Sequence, residues 1–227
     1  MAGLLTHEWI SNWVLKKLSK RNFISKFENI DDYFFGAIAP DIRYINNTPR
    51  ETTHKPNGEK SIFEAMKVSS TSMPFIAGFE THLVVDSVWA NDNQVMGKSI
   101  YENYGFDVNN PIQKYGLYLA VDDYFQGEAD WFFQFQCAGN ILRANDTRIL
   151  LDLGFNQEDI LKYKAAAATY LREPGIDTFN VFSLFPNNFD ENLLGKIVDQ
   201  KTTLTSYLKE FKKVSIDKCV ESLERYL

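Results

Sequence analysis

Cysteine is scarce. Cys137 and Cys219 are the two in 227 residues, far apart and in no metal-binding spacing. That disfavours a thiolate zinc site and a disulfide framework, and two isolated cysteines read as free thiols in a reducing compartment. Basic charge is not in excess either: 24 Lys and Arg stand against 30 Asp and Glu, a net charge of -6. A chain whose main task is gripping nucleic-acid backbone needs clustered Lys and Arg, so a nucleic-acid partner is disfavoured. No apolar run is long enough to span a membrane, and "MAGLLTHEWISNWVLKK" shows neither a basic leader nor a small-residue cleavage pattern. The expectation is no signal peptide, no membrane span and a cytoplasmic location. Repeats and low-complexity tracts are missing, and convincing period-2 strands are few. Histidine is scarce as well, with three copies: His7, His54 and His82.

What is present is core-forming material. Hydrophobic residues make up 44% and aromatic residues 15% of the chain, enough to bury a substantial interior and to argue against disorder. The expected fold class is all-α, a multi-helical single domain over residues 1–227. Residues 1–140 carry every histidine and are the expected metal-site half. Residues 141–227 are the expected helical C-terminal scaffold.

Ile10, Trp13, Val14 and Leu18 follow an i, i+3, i+4, i+8 stripe, the period of an amphipathic helix. One turn back along it lies His7, which should face inward. "IDDYFFGAIAPD" predicts a second helix, capped by Asp31 or Asp32 and ended by Pro40. Its small residues Gly36, Ala37 and Ala39 allow another helix to come close. Asp41 then sits just past the helix end. Residues 44–61 read as a loop containing His54, and 74–90 as a helix with proline in its first turn. Pro111 opens a long helical pattern to about residue 140, with Gly139 as a stop. Further helices are expected at 147–152, 157–171, 189–211 and 214–226, with a stop at Gly154 and a cap at Asn156.

The third helix holds "FETHLVVDSVW", which puts His82 and Asp86 four residues apart and so on one helix face. Imidazole and carboxylate together are a common ligand set for a zinc-like or iron-like ion. The same pair also makes a simple buried hydrogen bond, an inward histidine is commonly a satisfied core residue, and Asp41 after Pro40 suits a turn. Composition and periodicity leave the metal site and these plainer readings equally open.

The ordered motifs add to this. An early His7, "GAIAPD" ending at Asp41, "TTH" ending at His54, and "GFETHLVVD" with His82 and Asp86 resemble the zinc-dependent phospholipase C family. These are helical hydrolases related to the S1/P1-type nucleases. The resemblance covers roughly the first 90 residues and implies a fold of the phospholipase C/P1 nuclease type. It also implies a metal held by Asp41, His54, His82 and Asp86. Asp86 would bridge to a second metal shared with His7 and the chain's amino terminus. A third metal would use a later His-x-x-x-Glu. If Asp122 matches the family's Asp, Lys114 falls where that histidine should be and Tyr118 where the glutamate should be, and Asp92 falls near the place of another family histidine. One metal is therefore expected, with a second as the upper limit, and zinc is the first choice of divalent ion.

A site of this kind activates water for attack on an ester, and the implied reaction is phosphoester hydrolysis on a small phosphorylated or lipid-like substrate. Asp41 is the candidate general base as well as a ligand. Arg43 is a candidate phosphate-binding residue, with a surface salt bridge as its equal alternative. A non-catalytic, metal-stabilised helical binding protein is the rival from another class. An HD-like phosphohydrolase is the nearest enzyme rival, but it needs adjacent His and Asp, which no histidine here provides. The aromatic run "DWFFQFQ", residues 130–136, reads first as core packing, with a lipid-lining pocket or a dimer face as alternatives.

Overall fold

The computed structural model describes residues 3–21, 25, 27–54, 71–90, 107, 109–129, 131–175, 178 and 201–226. Among them every regular element is a helix, as the period of the apolar residues requires. Helix α1 spans Leu4–Ser19, and α2 Ile30–Ile38, followed directly by a 3-10 segment over Ala39–Tyr44. A short α3 covers Arg50–His54, and α4 covers Met73–Ala90. Then come α5 (Pro111–Glu128), α6 (Trp131–Arg143), α7 (Arg148–Asp152), α8 (Gln157–Arg172) and α9 (Lys201–Glu224). No described helix is long and apolar enough to cross a membrane.

Helix α4 is the axis of the arrangement. It packs most extensively on α2 and next on α9. Two glycines make the α2–α4 crossing close. A Cβ added at Gly36 would collide with the carbonyl oxygen of Phe75, and one added at Gly78 would collide with the carbonyl oxygen of Tyr33. Both obstacles are backbone, which cannot rotate aside. Gly36 thus has the role its small size suggests, and its partner is the glycine of "AGF" in α4.

Helix α1 begins without a side-chain cap of its own. Its first amides are instead satisfied from across the fold. The Asp122 carboxylate of α5 accepts from Leu5 N at 3.2 Å, Thr6 N at 2.9 Å and the Tyr170 hydroxyl at 2.7 Å. A carboxylate at a helix N-terminus also meets the positive end of the helix dipole. Asp122 is therefore a structural anchor that fixes where α1, and so His7, sits.

Several boundaries differ from the sequence reading. The cap of α2 is Asn29, whose side chain accepts from Asp31 N. Asp32 turns inward to accept from the amides of Asn145 and Asp146 at 2.8 and 3.0 Å. His54 ends a helix rather than lying in a loop. The long helix from Pro111 is two helices, broken at Ala129, whose backbone is extended. The break lets Phe125 of α5 and Phe133 of α6 both meet Trp9, at 6.4 and 6.1 Å. Gly139 lies within α6, not at its end. The two last segments are one helix where described, and residues 189–200 lie outside the described residues. The stop at Gly154 (φ 93°) and the cap at Asn156, accepting from Asp159 N, are as expected. Trp13 is 37% exposed although its stripe partners are buried. In "DWFFQFQ" the core reading fails for three rings: Trp131, Phe132 and Phe135 are 72%, 61% and 53% exposed. The inner face of α6 carries Gln134, Cys137, Ala138, Asn140 and Ile141 instead.

Glu8, next to His7, is fully buried, and neither carboxyl oxygen has a hydrogen-bond partner among the described residues. Burial raises its pKa well above the usual range, and the Cys137 thiol beside it offsets little of this. A raised folded-state pKa means the fold holds the proton more tightly than the unfolded chain does. The corresponding stability is complete below about pH 4.3 and declines as pH rises towards the folded value. Glu8→Gln keeps the shape without the proton requirement. Its advantage over the wild type in urea midpoint should grow between pH 5 and pH 8. A difference that stays constant with pH would contradict this.

Candidate metal centre

Four segments deliver five ligand-type side chains to one buried place. Helix α1 supplies His7, the 3-10 segment Asp41, α3 His54, and α4 both His82 and Asp86. All five are buried. The i, i+4 spacing on α4 brings His82 Nε2 to 3.9 Å from Asp86 Oδ2. His54 Nε2 lies 3.2 Å from the same oxygen and 3.3 Å from His82 Nε2. Two further approaches close the group: His7 Nε2 to Asp86 Oδ1 at 3.5 Å, and His54 Nε2 to Asp41 Oδ1 at 4.0 Å. The rings of His7 and His82 stack at 3.8 Å and 9°.

Orientation comes from outside the cluster. Ala37 O lies 2.8 Å from His82 Nδ1. A carbonyl only accepts, so this nitrogen carries the proton and Nε2 points its lone pair at the cluster. Thr53 Oγ1 sits 2.9 Å from His54 Nδ1 and orients that ring. Burial, then the charge of His7, lowers the His82 pKa well below its usual value, which keeps the imidazole neutral. Burial acting alone would raise the Asp86 carboxyl. The surrounding His54, His7 and His82 imidazoles help reverse this and hold it well below the ordinary range. Asp41 goes the other way: burial raises it most, His54 opposes, and Asp86 adds to the rise.

The spacing fits a divalent ion. Ligand atoms about 2.0–2.1 Å from a tetrahedral zinc lie about 3.4 Å from one another. The His54–Asp86 and His54–His82 separations, 3.2 and 3.3 Å, are near that edge. Both ring nitrogens of His7 and Oδ1 of Asp41 are buried without a hydrogen bond among the described residues, a costly arrangement that a cation relieves. Two triads of ligand atoms gather within 4.8 Å: His7, Asp41 and His82, and His54, His82 and Asp86. His82 is common to both. Geometry thus groups His7 with Asp41 and His82, and also brings its Nε2 to 3.5 Å from Asp86, the residue with which the resemblance pairs it. Residues 1 and 2, and Asp92, lie outside the described residues.

A family model described as zinc dependent phospholipase C matches residues 6–109. Over those residues, just under half of the chain, it resembles the zinc-dependent phospholipase C family. The matched segment contains all five candidate ligands, and the family is one of metal-dependent hydrolases. No curated protein and no solved structure matches the chain.

Sequence reasoning singled out Arg43, whose guanidinium lies 4.0 Å over the Tyr44 ring. It missed Arg50, whose Nη2 is 2.5 Å from Asp86 Oδ2. The available signal was "RETTH": Arg50 precedes His54 by four residues, the spacing that pairs His82 with Asp86. Asp122 and Tyr118 are buried, Asp122 as the anchor of α1. Lys114 and Tyr115 are partly buried at the start of α5.

Proposed function

We propose that this chain is a metal-dependent phosphoesterase with one or two ions, zinc first, held by His7, Asp41, His54, His82 and Asp86. The observation that carries this reading is the convergence of imidazole and carboxylate atoms at ligand-edge separations in a buried site. When bound, the ion supplies water activation and polarisation of a phosphoryl oxygen. The chain's own residues do the rest. His82 is presented in one tautomer by Ala37 O. Asp41 is the base as well as a ligand: Oδ1 lies 4.0 Å from His54 Nε2 with no hydrogen-bond partner among the described residues, placed to accept the proton of an attacking water. Arg43, two residues on, takes up phosphate charge. Phosphodiester hydrolysis is the expected reaction class, and a lipid-like substrate follows from the family rather than from any pocket residue.

Metal content by elemental mass spectrometry, on untagged protein, should give one or two zinc ions per chain. Hydrolysis of bis(p-nitrophenyl) phosphate or p-nitrophenyl phosphate should vanish on chelation and return with zinc. No metal after reconstitution would overturn the reading. Metal without turnover of any ester would leave a metal-stabilised binding protein.

A further inference from the structure

Two of the candidate ligands are held by different kinds of partner. His82 Nδ1 faces the carbonyl of Ala37 at 2.8 Å. A carbonyl only accepts, so one tautomer is imposed on this ring. His54 Nδ1 faces the hydroxyl of Thr53 at 2.9 Å. A hydroxyl both donates and accepts, so it serves either tautomer. Thr53 is fully buried, and its Oγ1 has a second neighbour, Arg50 O, at 3.5 Å. That carbonyl can receive the hydroxyl proton whenever it is not directed at Nδ1.

The other edge of the His54 ring needs this freedom. Its Nε2 lies 3.2 Å from Asp86 Oδ2 and 3.3 Å from His82 Nε2. Both are acceptors: one is a carboxylate oxygen, and the other carries a lone pair because the His82 proton is on Nδ1. Facing them, His54 Nε2 is best used as an N–H donor. A metal ion needs the same atom as a lone pair. A neutral imidazole has one N–H and one lone pair, so a single fixed partner at Nδ1 cannot suit both uses. A carbonyl there would leave Nε2 without a proton for Asp86. A pure donor there would leave Nε2 without a lone pair for the ion.

We propose that Thr53 is a positioning residue that lets His54 exchange tautomers as the metal centre is loaded. When Nε2–H donates to Asp86, the Thr53 hydroxyl donates to the Nδ1 lone pair. When Nε2 holds an ion, Nδ1–H donates to Thr53 Oγ1, and the hydroxyl proton turns to Arg50 O. One proton leaves Nε2 and one is taken up at Nδ1, so the charge of the ring is the same in both forms. His82 is thus the preset ligand and His54 the adaptable one. This rests on the metal centre of the phosphoesterase reading.

Long-range 1H–15N correlation spectra report which ring nitrogen carries the proton, and three histidines give a readable spectrum. In the full-length 15N-labelled chain, the His54 signals are identified by their loss in His54→Gln. They should show the proton on Nε2 in EDTA and on Nδ1 with zinc, while His82 keeps Nδ1–H in both. The same protonated nitrogen of His54 in both conditions would overturn the switch. Thr53→Val keeps the shape of the side chain and removes the hydroxyl. Its zinc affinity, measured by chelator competition, should fall about tenfold, and Thr53→Ser should stay within about threefold of the wild type. Wild-type affinity in Thr53→Val, or a Ser variant as weak as the Val variant, would count against the hydroxyl. If Thr53→Val does not fold, the wild-type spectra and the Ser variant decide. A wild type that takes up no zinc rejects the switch and the reading together. A His54 proton that moves with zinc in a chain that cleaves neither ester keeps the switch and rejects the phosphoesterase reading. Zinc-dependent turnover with an unmoved proton does the reverse.

Discussion

His82→Ala should lose metal, activity and thermal stability together. His82 is the ligand common to both triads, it stacks on His7, and its Nδ1–H fixes the ring against Ala37 O of α2. Removing it leaves His54 Nε2 and the Asp86 carboxylate with one partner fewer in a buried site. A tightly held ion at about a thousand times its dissociation constant adds about 4 kcal/mol to the folded state. In a chain of this size that corresponds to a fall in Tm of about 8–16 °C. The signature is the response to chelator. EDTA should lower the wild-type Tm towards that of His82→Ala, while the variant's own Tm stays put. A variant that keeps full zinc content would remove His82 from the site.

The sign of the electrostatics supports the same result. The fold drives His82 neutral and holds Asp86 ionised. A neutral imidazole and an ionised carboxylate are the protonation states a divalent cation requires. Asp41, raised by burial, is the odd member, and a bound cation would pull its carboxyl back towards the ionised form.

How much of this was legible in the sequence depends on the range of the interaction. Local patterns showed through. The apolar stripe of α1 placed His7 inward, and the i, i+4 spacing paired His82 with Asp86. Asn156 and Gly154 marked their helix ends, since caps and stops act within a few residues. Contacts that span the chain did not show. Asp122 anchors α1 from 116 residues away, and no window around Asp122 or Thr6 reveals it. The break after Glu128 lets Phe125 and Phe133 both meet Trp9, a tertiary contact that the continuous helical pattern does not reveal. Hydrophobic content also misled at α6. A cluster of aromatic residues states that a helix has an apolar face, not which way the face turns, and Trp131, Phe132 and Phe135 turn outward. The five candidate ligands were found because order and spacing along one segment, residues 6–109, carry the family pattern. Arg50 lay between its motifs, and only packing put it against Asp86.

Among the described glycines, Gly78→Ala should be the most disruptive change to alanine. Its Cβ would collide with Tyr33 O and lie 2.8 Å from Ala37 N, so α2 and α4 must move apart. Overpacking of this kind costs about 3 kcal/mol, and more where backbone is the obstacle. The damage should not stop at the crossing. Gly78 and His82 are one turn apart on the same face of α4, and the residue it would strike, Ala37, supplies the carbonyl that orients His82. Separating the helices lengthens that hydrogen bond and swings Nε2 off the cluster. Urea unfolding in EDTA, where no metal contributes, should show the full packing loss, and zinc stoichiometry should fall as well. Gly127→Ala is the control, because its Cβ would meet nothing within 4 Å in the last turn of α5. There the same methyl should leave stability unchanged or raise it by about 0.5 kcal/mol through helix propensity. If Gly78→Ala behaved like Gly127→Ala, the close α2–α4 crossing would not be what aims His82, and the link from two glycines to the metal centre would be broken.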